Sequence, residues 1–479
     1  MVYLLLFLFC VVFIEFFILL HVSGNIRSVM AFSRTGIGAL KAYKMDDDEK
    51  GIFFRHQSWE LFKATFVLSI KFLSVFLILS AIYVTLNYFF PEMGDALLKE
   101  INSVTVLVIL TVVTMFYVRM RMSFTKNYNF IERLLHHLAF STPFVQKKLV
   151  EIENDLFKNR IKGVTSKFEV FIAGLPRSGT TLILEMLYGT DEFRTFTYRH
   201  MPFILSPLLW NRLSSSFHKT GTTMERAHGD GMDVSFDSPE AFEEIIWLFY
   251  MKEKIVSGDL LSPLSIGDQT PEFEKAFKNT IEKLLVDGGA EQPLRYLSKN
   301  NANISRIELI HRLFPSSVII IPFRRPFAHV SSLIKQHRKF TVLHQEDGFS
   351  KRYMEWLGHY DFGENFKPIN FDNWLDDEED GDHNDENFWL KYWTAAYSHV
   401  LDNRTENVYL IDFDKLLTDG KNCLKVVADC VGLENKERLV KAANRLCSPT
   451  SRPLKSNHFL PETLESALQV HARLMKLAI

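Results

Sequence analysis

From Val2 to Leu20 the chain reads VYLLLFLFCVVFIEFFILL, with Glu15 its one charged residue. A second apolar run extends from about Ala64 to Phe90 and a third, SVTVLVILTVVTMFYV, from Ser103 to Val118. In hydrocarbon every backbone N–H and C=O must be bonded within its own segment, so such runs are held to helices. About 20 apolar residues span a bilayer core of ~30 Å. The spacing therefore predicts an N-terminal transmembrane region over residues 1–122, with about three spans. Glu15 is costly in lipid and is expected to face another helix or an interface. The third run is short, and a buried core helix is its alternative reading. A cleaved leader would need a basic n-region and an A-x-A site, and the first run has neither.

Basic residues set orientation. Arg27, Arg34, Lys41, Lys44, Lys50, Arg55 and Lys63 lie between the first two runs, whereas the stretch between the second and third holds only Lys99. Arg119, Arg121 and Lys126 follow the third. This places the first loop and everything after Val118 on the cytoplasmic side of a multi-pass membrane protein. The cysteines agree: four in the chain, with no C-x-x-C pair, make neither a disulfide scaffold nor a zinc site. The triplets starting at Asn303 and Asn403 match glycosylation acceptors, but such triplets are common by chance. A net charge of -2 does not indicate a bulk affinity for nucleic acid.

Residues 123–166 read as an amphipathic helical linker, IERLLHHLAF and then VQKKLVEIENDLF. His136 and His137 are expected on its surface. Over residues 167–479 short β-rich runs alternate with helical ones. FEVFIAG precedes the helical TTLILEMLYG, ISRIELIHRLF precedes SVIIIPF, and NVYLIDF follows later. Buried strands separated by helices predict an α/β domain, a P-loop-type parallel sheet flanked by helices. The acidic stretch Asp376–Glu386 lacks the closing glutamate of a calcium loop and reads as a solvated loop, so no metal is expected.

The segment GLPRSGTT, from Gly174, has the glycine spacing of a phosphate-binding loop between a strand and a helix. Backbone N–H groups at such a turn and helix start cradle an anion. Thr180 stands where the lysine that reaches the outer phosphates of a nucleoside triphosphate is required. Arg177 supplies a guanidinium fork instead, suited to sulfate or phosphate oxygens. A second basic element, FRRPFAHVSS, follows SVIIIPF. It puts Arg324 at a strand end, where open α/β sheets bind ligands, and Ser332 on the following helix.

These two motifs, in this order, resemble those of the PAPS-dependent sulfotransferases, whose donor is 3′-phosphoadenosine 5′-phosphosulfate, in a membrane-anchored, bacterial-type form. The resemblance implies that Arg177, Ser178, Gly179, Thr180 and Thr181 hold the 5′-phosphosulfate and that Arg324 and Ser332 hold the 3′-phosphate. YLSKNNANISRIELIHRLFP resembles the family's stretch before the second strand and puts Lys299 beside the transferring group. Arg325 departs from the family's Asp or Asn. The late glycine-rich loop is replaced by SPTSRPLKSNHF, where Arg452 or Lys455 stand in weakly. On the acceptor side a general base is needed. His228 and Glu243 are the leading candidates and His200 follows. Glu240 also fits an N-terminal helix position beside a cap at Asp237 or Ser238. FTVLHQEDGFSKRYMEWLGHYDFG reads either as acceptor wall or as core helix. The expected function is transfer of the sulfuryl group to a hydroxyl of a membrane-proximal glycan, glycolipid or lipid, at a bacterial inner membrane. The alternatives are a P-loop kinase or NTPase, and a non-catalytic membrane scaffold with a degenerate nucleotide fold.

Overall fold

The computed structural model of this 479-residue chain describes residues 47–89, 91, 130–166, 168–214, 224–225, 233–234, 237–287, 294–375, 382–446 and 454–479. The chain divides into two units, Met1–Phe124 and Thr125–Ile479.

In the first unit the described residues form one long helix, α1 (Asp47–Phe89). Its stretch Leu61–Thr85 has a mean hydropathy of 2.3 and is long and apolar enough to cross a membrane. Apolar side chains stand out around it, among them Phe62, Phe66, Leu73, Phe76 and Leu77, all exposed. The hydroxyls of Thr65, Ser69, Ser74 and Thr85 bond back to carbonyls one turn earlier, at 2.8–3.0 Å. That leaves those polar groups satisfied within the helix, as a hydrocarbon setting demands. The apolar runs at residues 2–20 and 103–118 lie outside the described residues.

In the second unit, five strands form one parallel sheet: β1 (Val170–Ile172), β2 (Phe193–Arg194), β3 (Arg295–Lys299), β4 (Val318–Phe323) and β5 (Val408–Asp412). Their order is β2-β3-β1-β4-β5, and every neighbouring pair is parallel. The central strands are apolar on both sides because both faces are covered. On one face Val170 and Ile172 pack with Leu184 and Leu187 of α2 (Thr180–Tyr188) and with Leu424 and Val427 of α3 (Gly420–Val431). On the other, Phe171 meets the rings of Tyr296 and Phe314, at 5.8 and 5.4 Å. Phe314 in turn meets Phe277, which packs on Trp247. The sheet therefore buries an aliphatic layer on one side and an aromatic layer on the other.

The stretch read as a linker is helical at Phe130–Ser141 and Pro143–Leu156. Its two histidines do not both sit on the surface. His136 is buried edge-on to Tyr353, while His137 lies against Trp356. The period that put them on one helix gave no sign of the aromatic helix Gly348–Trp356 that covers them. A fully buried ion pair, Lys283 to Glu153 at 2.8 Å, ties the second linker helix to the helix Pro271–Asp287. Asn303 is completely buried and bonds Glu243, so it cannot carry a glycan. Residues 376–381 of the acidic stretch lie outside the described residues. Asp385 caps the next helix by accepting from Asn387 N–H. No cluster of potential metal ligands occurs among the described residues.

Candidate functional site

The loop after β1 turns back on itself through three left-handed residues, Gly174, Arg177 and Gly179, at φ of 145°, 69° and 108°. At Gly179, the residue that opens α2, a Cβ would come within 2.3 Å of the Phe413 ring. Only glycine serves there, since the backbone conformation and the contact both exclude a side chain.

Three hydrogen bonds attach this loop to the segment after β4. Arg324 Nη1 donates to the Arg177 carbonyl at 3.2 Å, and His329 Nε2 to the Pro176 carbonyl at 2.9 Å. Arg177 Nε donates to Ser332 Oγ at 3.3 Å. His329 and Ser332 lie on α4 (Pro326–Glu346), which starts where β4 ends. The two basic motifs, far apart in sequence, are thus side by side at the C-terminal edge of β1 and β4. With the Pro176 and Arg177 carbonyls bonded to His329 and Arg324, the backbone N–H groups of the loop and of the first turn of α2 could hold an anion.

His329 is fully buried, and its Nδ1 accepts from Trp393 Nε1 at 3.2 Å. Its Nε2 therefore carries the proton that goes to Pro176. Burial, and then the Arg324 guanidinium, lower its pKa from 6.5 to about 3. Arg324 is buried, lies over the Phe413 ring at 5.6 Å and has an Nε without a hydrogen-bond partner. Its own pKa is lowered by burial. Arg325, the departure from the family pattern, is largely exposed and pairs with Asp414 at 3.3 Å.

A cleft opens beside the loop. Arg177, Thr180, Thr181 and Lys299 line it on the side of α2 and β3. Glu244, Asn300 and Asn301 line it next, and residues 358–362 with Lys367, Ile369 and Tyr392 form the opposite wall. Thr180 Oγ1 donates to Asn301 Oδ1 at 3.4 Å, and Asn301 Nδ2 to Asp361 Oδ2 at 3.0 Å. Gly358, at φ 73°, lets that wall approach Glu244, because a Cβ there would lie 2.4 Å from Glu244 Cγ. The Tyr360 phenol is pushed up to about 12 by burial and by Glu355 and Glu244. Lys367 Nζ donates to the Gly258 carbonyl and pairs with Asp259.

Two of the proposed bases lie elsewhere. Glu243 accepts from Trp247 Nε1 at 2.9 Å, Asn303 Nδ2 at 2.8 Å and Tyr296 Oη at 2.8 Å. It is buried beneath the loop after β3 rather than among the residues lining the cleft. His200 ends a 3-10 turn. Its Nδ1 accepts from Thr197 N–H at 3.0 Å and its Nε2 faces Asp287 at 3.3 Å, away from the cleft. His228 and Arg452 lie outside the described residues. Lys455 is exposed. Glu240 does not cap a helix; it accepts from Tyr198 Oη at 3.1 Å. Asn301, His359, Asp361 and the anchoring His329 were not singled out by sequence. Asn301 and His329 fall inside the two quoted motif stretches SKNNANIS and FRRPFAHVSS, whereas His359 and Asp361 had as signal only the aromatic, mixed-charge stretch that ends in GHYDFG.

Residues 169–373 match the model of the Sulfotransferase family. No curated protein matches the chain. Three solved structures are similar. The sulfotransferase STF1 of Mycobacterium tuberculosis H37Rv is 12% identical over 69% of this chain and 83% of its own, with a TM-score of 0.39. STF9 of Mycobacterium avium is 12% identical over 68% and 81%, with a TM-score of 0.40. The sulfotransferase domain of the curacin biosynthetic pathway is 13% identical over 65% and 98%, with a TM-score of 0.30.

Proposed function

We propose, from the match of residues 169–373 to the model of the Sulfotransferase family, that the protein transfers a sulfuryl group from PAPS to a hydroxyl of a membrane-proximal glycan, glycolipid or lipid. The observation that carries the donor half is the junction of the two basic motifs. Arg324 donates to the Arg177 carbonyl at 3.2 Å, and Ser332 Oγ accepts from Arg177 Nε at 3.3 Å. A donor with anionic groups at both ends of a ribose needs two such sites at a fixed separation. The buried Arg324 Nε without a partner fits an anion that completes its hydrogen bonds.

In this reading Arg177, Ser178, Gly179, Thr180 and Thr181 hold the 5′-phosphosulfate, and Arg324 and Ser332 the 3′-phosphate. Lys299, buried at the end of β3 and lining the cleft, stabilises charge on the oxygen that leaves. No metal is required, because guanidinium, ammonium and backbone N–H groups supply the positive field. The helix Leu61–Thr85 supports anchoring to a membrane. With the basic residues around Lys50 and Lys63 it supports a catalytic unit on the cytoplasmic side, in a bacterial inner membrane.

The test is calorimetric titration of the detergent-purified full chain with 3′-phosphoadenosine 5′-phosphate (PAP), without magnesium and with ATP as competitor. Micromolar binding with ATP much weaker is expected. No binding without magnesium, or preference for ATP, would replace this reading with an NTPase.

A further inference from the structure

The cleft wall opposite the donor loop carries several groups able to handle a proton, and their partners separate them. Glu244 is held at both oxygens: Arg306 donates to them at 2.6 and 2.8 Å, and Asn300 Nδ2 donates to Oε2 at 2.7 Å. The Arg306 guanidinium also lies over the Trp247 ring at 4.5 Å. A carboxylate so held, with three donors on its two oxygens and a guanidinium paired to both, fixes the loop after β3. Lys367 is a cation engaged with Asp259. His359 Nε2 reaches the Ala241 carbonyl only at 3.5 Å.

Asp361 differs from all of these. One oxygen, Oδ2, takes the Asn301 amide at 3.0 Å. Among the described residues no donor reaches Oδ1. The same Asn301 takes the hydroxyl of Thr180, the first residue of α2 after the anion loop. Asp361 is therefore registered against the donor loop through two side-chain hydrogen bonds. Its carboxylate faces the cleft that Arg177 and Lys299 line from the other side.

We infer that Asp361 is the group that takes the proton from the acceptor hydroxyl, an assignment that rests on the sulfuryl-transfer reading above. The acceptor O–H proton passes to Asp361 Oδ1 as the acceptor oxygen forms its bond to sulfur. The bond from sulfur to the bridging phosphate oxygen breaks, and its electron pair leaves on that oxygen, opposite Lys299. Asn301 is a positioning residue: it holds Oδ2, so that Oδ1 is the oxygen presented.

The experiment uses the full chain in n-dodecyl β-D-maltoside, with PAP and PAPS as calorimetric probes. Release of labelled sulfate to water and to the maltoside hydroxyls gives turnover. Asp361→Asn should bind PAP within about twofold of the wild type. Removing a negative charge near the sulfuryl group should tighten PAPS relative to PAP by about fivefold or more. Turnover should fall at least about a hundredfold, and the acid limb of its pH profile should disappear. Asp361→Glu should retain part of the rate. Unchanged turnover in Asp361→Asn, or an unchanged PAPS-to-PAP affinity ratio, overturns the assignment. So does a loss that appears in His359→Gln and not in Asp361→Asn. Failure of the wild type to bind PAP overturns the donor reading as well, whereas wild-type binding with an indifferent Asp361→Asn overturns this inference alone.

Discussion

Arg324 joins two roles in one side chain. Its Nη1 holds the anion loop, and its Nε is buried without a partner. Replacing it with alanine removes a charge-assisted contact worth about 1.5–3 kcal/mol, so PAP affinity should fall on the order of ten- to a hundredfold by calorimetry. His329 makes a different prediction, about pH. Its folded pKa is depressed to about 3 from 6.5 by burial and by Arg324. Above 6.5 both folded and unfolded chains hold it neutral, and its contribution is level. As the pH falls from 6.5 toward 3 the unfolded chain takes up a proton that the folded chain refuses. Stability is then lost at up to about 1.4 kcal/mol per pH unit. The melting midpoint of His329→Gln, which keeps a donor for Pro176 but does not titrate, should fall less steeply over that window than the wild type's. Parallel slopes would contradict the buried neutral histidine.

At the scale of elements, the loop after β1 was legible because its requirements are local. Two glycines, a strand before and a helix after are all visible within some twenty residues. Gly179→Ala tests that directly. A Cβ 2.3 Å from the Phe413 ring, at φ 108°, should displace the start of α2. PAP affinity should drop even where the protein still folds. The opposite wall was not legible for a physical reason. Glu243 and Glu244 are adjacent, and consecutive helical positions point about 100° apart. One carboxylate therefore enters the core beside Tyr296 and the other reaches the cleft, but nothing in the run EAFEEIIW says which. Asp361 sits on a turn whose position depends on how Gly358 packs against Glu244, a contact between segments more than a hundred residues apart. The parallel sheet could be read from its apolar strands. The order β2-β3-β1-β4-β5, which brings Arg324 to Arg177, could not be read from any one of them. The buried Lys283–Glu153 pair was equally hidden inside amphipathic runs. Burial raises the Glu153 carboxyl and lowers the Lys283 ammonium against their mutual attraction. Glu153→Ala alone should cost about 3–5 kcal/mol by stranding the lysine, whereas Glu153→Met with Lys283→Met should cost much less. Melting of the two variants in detergent distinguishes them.

For the whole molecule, the proposed function makes a prediction about the topology of α1. A helix apolar on all sides, with its hydroxyls turned back onto its own carbonyls, has no reason to stand in water. Lys50, Arg55 and Lys63 lie at or before its first apolar turns, and after it Lys99 is the only basic residue before the third run. Under the proposed function, this bias predicts that the Asp47 end lies on the cytoplasmic side. Single cysteines at Ser58, Tyr88 and Ser141, in a chain whose four native cysteines are alanine, report the arrangement with an impermeant maleimide. Ser58→Cys should react only after the membrane is opened, and Tyr88→Cys should react in intact cells. If residues 103–118 cross back, Ser141→Cys should behave as Ser58→Cys does, and the unit that matches the Sulfotransferase model would share a compartment with the proposed nucleotide donor. Equal reactivity at Ser58 and Tyr88 would mean that α1 does not cross. Reactivity at Ser141 in intact cells would put the catalytic unit on the far side, where a cytoplasmic donor cannot reach it, and the proposed reaction would fail on topology alone.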